Sequence, residues 1–192
     1  MKKSIGARTS LYPAPVMIVV TYDPESRPDA MTAAWGGICC SKPPCIAVSL
    51  RRATETYHNL MAREAFTINL PSQDYVLEAD YFGTVTGKRE EKFLPSGLTP
   101  VKSEVVDAPY IAEMPLVLEC RLLHTFELGL HTQFIGEILD VKADDAILEA
   151  GDIPDLEKLR PLIFAPERSE YYAIGRRLTQ SDIARRKELE GL

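Results

Sequence analysis

The chain is expected to be a mainly β protein, an antiparallel barrel with peripheral helices. Three observations predict this class: strand-like runs are many, helical periodicities are few, and there is no βαβ alternation of the kind that builds a doubly wound sheet. At 192 residues with 45% hydrophobic content, the chain is long enough for one well-buried core and short for two. A single domain over residues 1–192 is therefore expected.

Val16 opens a Val- and Ile-rich run that predicts a buried strand over 16–22, and Asp23-Pro24-Glu25-Ser26-Arg27-Pro28 supplies the turn after it. The next strand, of small and polar residues, starts near Asp29, and a proline-stopped loop follows at Cys40-Ser41-Lys42-Pro43-Pro44. Residues 45–50 form another apolar strand. Behind Thr54 as cap, Tyr57, Leu60 and Met61 fall at helical spacing and predict a helix over 54–64. Residues 65–70 return to strand, and Ser72 caps a helix expected to reach about Tyr81. The stretch 83–96 mixes glycine, charges and Phe93, and reads as a functional loop with a short helical turn near 89–94. Residues 116–125 and 132–143 predict a long antiparallel pair, turning at Glu127-Leu128-Gly129. The acidic segment 144–158 predicts a short helix and loop, 171–174 a last strand, and the charged segment 179–192 a capped terminal helix.

The formal charge of −6, from 22 Lys and Arg against 28 Asp and Glu, argues against general attraction to nucleic acid or anionic lipid. No stretch approaches the ~20 apolar residues of a membrane span. The run after Met1-Lys2-Lys3 is cut by Pro13 and Pro15, so no export signal is read and a cytoplasmic location is expected. Four cysteines make no dense disulfide framework, and the adjacent Cys39 and Cys40 are awkwardly placed for a structural bridge. Reduced thiols are expected, with Cys40 in a packing or backbone-contact role. His58, His124 and His131 lack metal-ligand spacing, and no local signature marks a catalytic triad, so no metal and no catalytic side chain are nominated.

The densest chemistry lies in residues 29–56. Arg51 can fork onto phosphate oxygens, while Thr54 and Thr56 can add hydroxyl and backbone donors where a helix starts. The plain alternative is a rim arginine beside threonines that merely cap the helix. Met31-Thr32-Ala33-Ala34 and Cys39-Cys40-Ser41 are mostly small, so a flat ring can lie against main chain there, although a tight barrel corner asks for the same residues. Trp35, the only tryptophan, can pack on such a ring or simply fill a core. The stretch from Tyr81 to Lys88 has the flavour of a phosphate loop but not its spacing: Gly83 to Gly87 is one residue short, and Arg89 stands where Ser or Thr is required.

Taken in order, these pieces resemble the flavin reductase-like family, more closely its flavoredoxin branch. The resemblance also rests on Phe66-Thr67-Ile68-Asn69-Leu70-Pro71-Ser72, Ala79-Asp80-Tyr81-Phe82-Gly83, Gly87-Lys88, Lys92-Phe93, Gly97-Leu98-Thr99-Pro100, Leu118-Glu119-Cys120-Arg121, Glu127-Leu128-Gly129 with His131-Thr132, and Phe134-Ile135-Gly136-Glu137. It implies an FMN-binding split β-barrel of Greek-key type, usually a homodimer with the flavin beside the dimer contact. Asp29 and Ala30 join residues 31–35, 39–41, 51, 54 and 56 as cofactor-binding candidates on that basis. So do Tyr81, Phe82, Gly83, Gly87 and Lys88, which reach over the flavin, and Lys92, whose charge would favour the reduced ring. Replacing Lys92 is expected to lower the flavin potential with little effect on folding. His131 can reach the cofactor of its own or the partner subunit, and Phe164 can shield the ring, though a core aromatic is its default reading.

The implied function is electron transfer from NADH or NADPH through FMN to an acceptor. Without a G-x-G-x-x-G motif, the dinucleotide would stack in an open cleft over the flavin. The alternatives are a flavoredoxin-type electron carrier serving a redox partner protein, and a split-barrel module for haem, with His131 as axial ligand, or for a pyridoxal-type phosphate.

Overall fold

In the computed structural model of the chain, residues 1–87, 91–179 and 181 are described. Strands β1 (Ala14–Pro15), β2 (Met17–Tyr22), β3 (Pro28–Ala33), β4 (Gly36–Ser41) and β5 (Pro44–Arg51) lead into helix α1 (Glu55–Arg63). Strand β6 (Ala65–Leu70), helices α2 (Val76–Thr84) and α3 (Phe93–Ser96), and the short pair β7 (Pro100–Lys102) and β8 (Pro109–Ile111) follow. The long strands β9 (Leu116–Leu128) and β10 (His131–Ala143) come next. After them run β11 (Leu148–Glu149), β12 (Ile153–Pro154), helix α4 (Leu156–Leu159), β13 (Leu162–Ala165) and β14 (Glu170–Ala173).

The main sheet is antiparallel and runs β3-β2-β6-β9-β10-β5-β4. Its two edge strands, β3 and β4, are joined in the chain by only Ala34 and Trp35. The three Cα steps from Ala33 to Gly36 reach at most about 11 Å, far less than the width of seven strands spaced about 4.8 Å apart. The sheet must therefore curl until its edges meet at this corner, while no ladder pairs β3 with β4. That is a split barrel. The Ser49 N–H donates to the Trp35 carbonyl at 2.8 Å and clasps the corner to β5. Gly36 permits the close approach, since a Cβ there would lie 2.5 Å from the Ala47 oxygen.

Alternation along β2 explains the packing on either side. Met17 and Val19 enter one core cluster with Val48, Leu50, Phe66, Ile68 and Phe134, which Tyr57 and Leu60 of α1 cap. Val16, Ile18 and Val20 face a second cluster with Ala79 and Phe82 of α2, Phe93, Ile111 and Leu162. Strand β2 is thus covered on both sides, which is why it reads as an unbroken apolar run.

Several predicted boundaries move. Cys40 and Ser41 are strand rather than part of the proline-stopped loop, because β4 pairs with β5 in a hairpin turned at Lys42-Pro43. The β9–β10 turn falls at Gly129-Leu130, with Gly129 at φ +59°, so Glu127 and Leu128 remain in the ladder. Met61 is exposed although its helical spacing suggested burial. The second helix begins as a 3-10 turn behind Ser72 and runs on to Thr84. The helical turn expected over 89–94 lies later, at α3, while Lys88, Arg89 and Glu90 lie outside the described residues, as does nearly all of the predicted terminal helix. No helix among the described residues is long and apolar enough to cross a membrane.

Candidate functional site

The β3–β4 corner forms one wall of a cleft of about 440 Å³. Ten of the sequence candidates line it: Met31, Thr32, Ala33, Ala34, Trp35, Arg51, Thr54, Gly83, His131 and Phe164. Their convergence follows from the ladder. Arg51 ends β5 directly opposite His131, which begins β10, so the two stand side by side at one end of the cleft. Phe164 arrives from β13, with its ring centroid 5.1 Å from that of Tyr171 on β14. The Arg51 guanidinium makes no hydrogen bond or ion pair among the described residues, and is free to meet an anion. Trp35 is exposed at the rim rather than buried in a core.

A smaller cleft of about 220 Å³ adjoins the first and shares Met31, Thr54, Gly83 and Thr84 with it. The N-terminus of α1 lies on this boundary, presenting its unpaired first-turn N–H groups and the positive end of its dipole. Gly87 and Lys92 line the far side. Behind them sits a buried polar cluster. Thr56 Oγ1 donates to Asp29 Oδ2 at 2.6 Å, Asn59 Nδ2 donates to the same oxygen at 3.3 Å, and Lys92 Nζ lies 3.9 Å from Asp29 Oδ1. Lys92 Nζ also donates to the Ala30 carbonyl at 2.5 Å. Burial pushes the Asp29 carboxyl up, against the Thr56 hydrogen bond and the Lys92 charge, and pushes the Lys92 ammonium down, partly offset by Asp29. A Cβ on Gly87 would press on Asp29 Oδ1, so glycine lets the loop pass the carboxylate without displacing it.

This arrangement revises the roles of several candidates. Asp29, Ala30 and Thr56 form the supporting cluster, with the Thr56 hydroxyl committed to Asp29 rather than to a ligand. The Thr54 hydroxyl donates to the Arg51 carbonyl at 2.8 Å instead of capping α1. Lys92 is only 4% exposed, which removes the expectation that its replacement would spare folding. Phe82 is a core residue at 1% exposure, and Tyr81 packs partly buried against the same cluster. Cys39 lines a separate cavity of about 370 Å³ that meets the cleft at Ala34, Trp35 and Ser49. Cys40 and Ser41 lie farther along β4, outside the cleft. Lys88 falls outside the described residues.

The sequence reading missed Val16, Ser49, Leu50, Asp80, Thr84, Ser169 and Tyr171 in the cleft wall. Tyr171 and Asp80 belong together: burial, then the negative charge of the nearby Asp80 carboxylate, pushes the phenol up to about 12. Only the fold joins these residues, so no local spacing signals them.

The flavin reductase like domain family matches residues 9–173, most of the chain. The chain belongs to this family. Among solved structures it is similar to the flavoredoxin of Desulfovibrio vulgaris (Miyazaki F), with 55% identity, TM-score 0.91 and coverage of 96% of this chain and 99% of that one. It is also similar to a flavoredoxin from Methanosarcina acetivorans, at 26% identity and TM-score 0.88, covering 95% and 96% of the two chains. An Aeropyrum pernix protein shares 33% identity over 80% of this chain, which spans only 58% of that relative's length. The expected family and split-barrel architecture are thus those observed.

Proposed function

We propose that this family member is an FMN-binding oxidoreductase that passes electrons from NADH or NADPH through the flavin to an acceptor, working as a cytoplasmic homodimer. The observation that carries the reading is the pair of joined clefts: a wall of mostly small residues beside Arg51, opening into a smaller recess bounded by a helix N-terminus and Lys92. The main-chain wall from Met31 to Ala34 suits a planar ring, and a volume of about 440 Å³ lies within the usual range of small-molecule sites, about 300–1,000 Å³. Arg51 and the first-turn amides of α1 suit a phosphate dianion. Trp35 and Phe164 flank the ring position and exclude water from it.

Bound FMN supplies the two-electron chemistry itself. The chain's residues position the ligand and set its field: the buried Lys92 ammonium and the Arg51 guanidinium favour added negative charge. Burial of Lys92 also means that its charge is screened little by water. The dimer is supported by exposed Phe126, Leu128 and Leu130, an apolar tip on the β9–β10 hairpin beside His131.

A second reading, an electron carrier that holds FMN tightly, is favoured by the 55% identity with a flavoredoxin over nearly the whole chain. Two measurements separate the readings. The visible spectrum of the purified protein, with phosphate analysis of released flavin, tests FMN; a colourless protein that takes up no added FMN overturns both. Anaerobic mixing with NADH or NADPH then tests turnover. Rapid flavin reduction supports the reductase, and reduction only through an added redox protein supports the carrier. Sedimentation at micromolar concentration tests the dimer, which a monomer mass would exclude.

A further inference from the structure

Strands β4 and β5 bring together cysteines that the sequence leaves unpaired. Ile38 opposes Ile46 and Cys40 opposes Cys45, so β4 spends two residues where β5 spends one, and Cys39 is the extra residue of a β-bulge. Directly opposed antiparallel residues have Cα atoms about 4.5–5.5 Å apart and share a face of the sheet. A disulfide spans about 4.4–6.8 Å between Cα atoms, so the ladder already holds Cys40 and Cys45 at bridging distance. The Cys45 thiol donates to the Pro43 carbonyl at 3.4 Å, in the turn that joins the two strands.

The pair is also unequal. Cys40 is exposed on an edge strand, whereas Cys45 is only 4% exposed. Burial pushes the Cys45 thiol up, with Cys40 and Cys39 adding to the shift, so Cys45 is a poor first target and a well-placed resolving partner. Among the described residues no group of three or more His, Cys, Asp and Glu is arranged to hold a metal ion. Thiol exchange is the chemistry this geometry suits.

We propose that Cys40 and Cys45 form a reversible disulfide, entered at Cys40 by a low-molecular-weight disulfide of the glutathione type. The Cys40 thiolate attacks one sulfur of the small disulfide, making a mixed disulfide and releasing one thiolate. The Cys45 thiol then gives up its proton, and its sulfur attacks that of Cys40 and expels the second thiolate. The two cysteines lose two electrons and two protons, and the small disulfide leaves as two thiols. The bond ties edge strand β4 to β5 at the end opposite the Trp35 corner, and it is independent of the flavin reading.

The test uses the full-length reduced protein, treated with oxidised glutathione, quenched in acid, then denatured and alkylated with N-ethylmaleimide. Intact mass should show two fewer alkylations than the four of the reduced protein, no retained glutathione, and full recovery after dithiothreitol. Peptide mapping of the oxidised wild type, which needs no variant, should place the bond between Cys40 and Cys45. Cys39→Ser should keep the loss of two thiols, Cys40→Ser should abolish it, and Cys45→Ser should stop with one glutathione retained. Four alkylations after oxidation, a wild type that stops at the glutathione adduct, or a bond mapped to any other pair overturns the proposal.

Discussion

Strand β3 does two different jobs within a few residues. At Asp29 and Ala30 it is buried, and its polar groups are spent on Thr56, Asn59 and Lys92. From Met31 onward it is half open and becomes the wall of the cleft. The first part holds α1 and the Gly87 loop in place, and the second offers main chain to a ligand. Residues that look alike in sequence, all within one candidate binding stretch, therefore divide into support and contact, and substitutions should divide the same way.

Lys92→Met should break this division most sharply. It leaves the Asp29 carboxylate buried without its cation and should cost about 3–5 kcal/mol of folding stability in urea titration. Stability equal to wild type would move Lys92 out of the supporting cluster. The same variant carries a pH signature. Burial sets the folded Lys92 pKa below its ordinary 10.5, so between the two values the unfolded chain holds more protons and stability rises with pH. Subtracting the Lys92→Met stability profile from that of wild type over the alkaline range should reveal this rise; a flat difference would contradict the shift.

Arg51→Ala samples the contact side. Loss of a charge-assisted phosphate bond should weaken FMN binding by about 1.5–3 kcal/mol, with stability changed by less than about 0.5 kcal/mol. Unchanged FMN affinity in a fluorescence titration would remove Arg51 from the site. Gly87→Ala presses a methyl group against Asp29 Oδ1 and should cost about 1–3 kcal/mol of stability. The smallest effect is expected at Thr54→Ala, about 0.5 kcal/mol by thermal unfolding, because its hydroxyl meets only the Arg51 carbonyl at an exposed position.

Much of this architecture was legible beforehand where one local signal acted alone. Strands β2, β5 and β6 are runs of apolar residues buried on both faces, and their bounds moved by no more than a residue. Strand β4 was missed because Gly36-Gly37 and the Lys42-Pro43-Pro44 cluster signal turns, while its pairing is a property of β5. The contacts of Arg51 and Met31–Trp35 with the cleft followed from donor chemistry and small side chains. The role of Thr56 did not, since a hydroxyl on the first turn of a helix reads the same whether it meets a ligand or a carboxylate from a strand 27 residues earlier. Tyr171 with Asp80 shows the other limit: two ordinary residues far apart in sequence come to line one cleft wall only through the fold.

The short link at Ala34-Trp35 makes the barrel's curvature a covalent matter. A circular permutant opened between those two residues would retain every strand pairing in the main sheet, yet nothing in the backbone would oblige the outermost strands to stay together. Flattening of the sheet would then pull one cleft wall away from Arg51 and His131, so ligand affinity in such a permutant would report directly on how tightly the cylinder is wound.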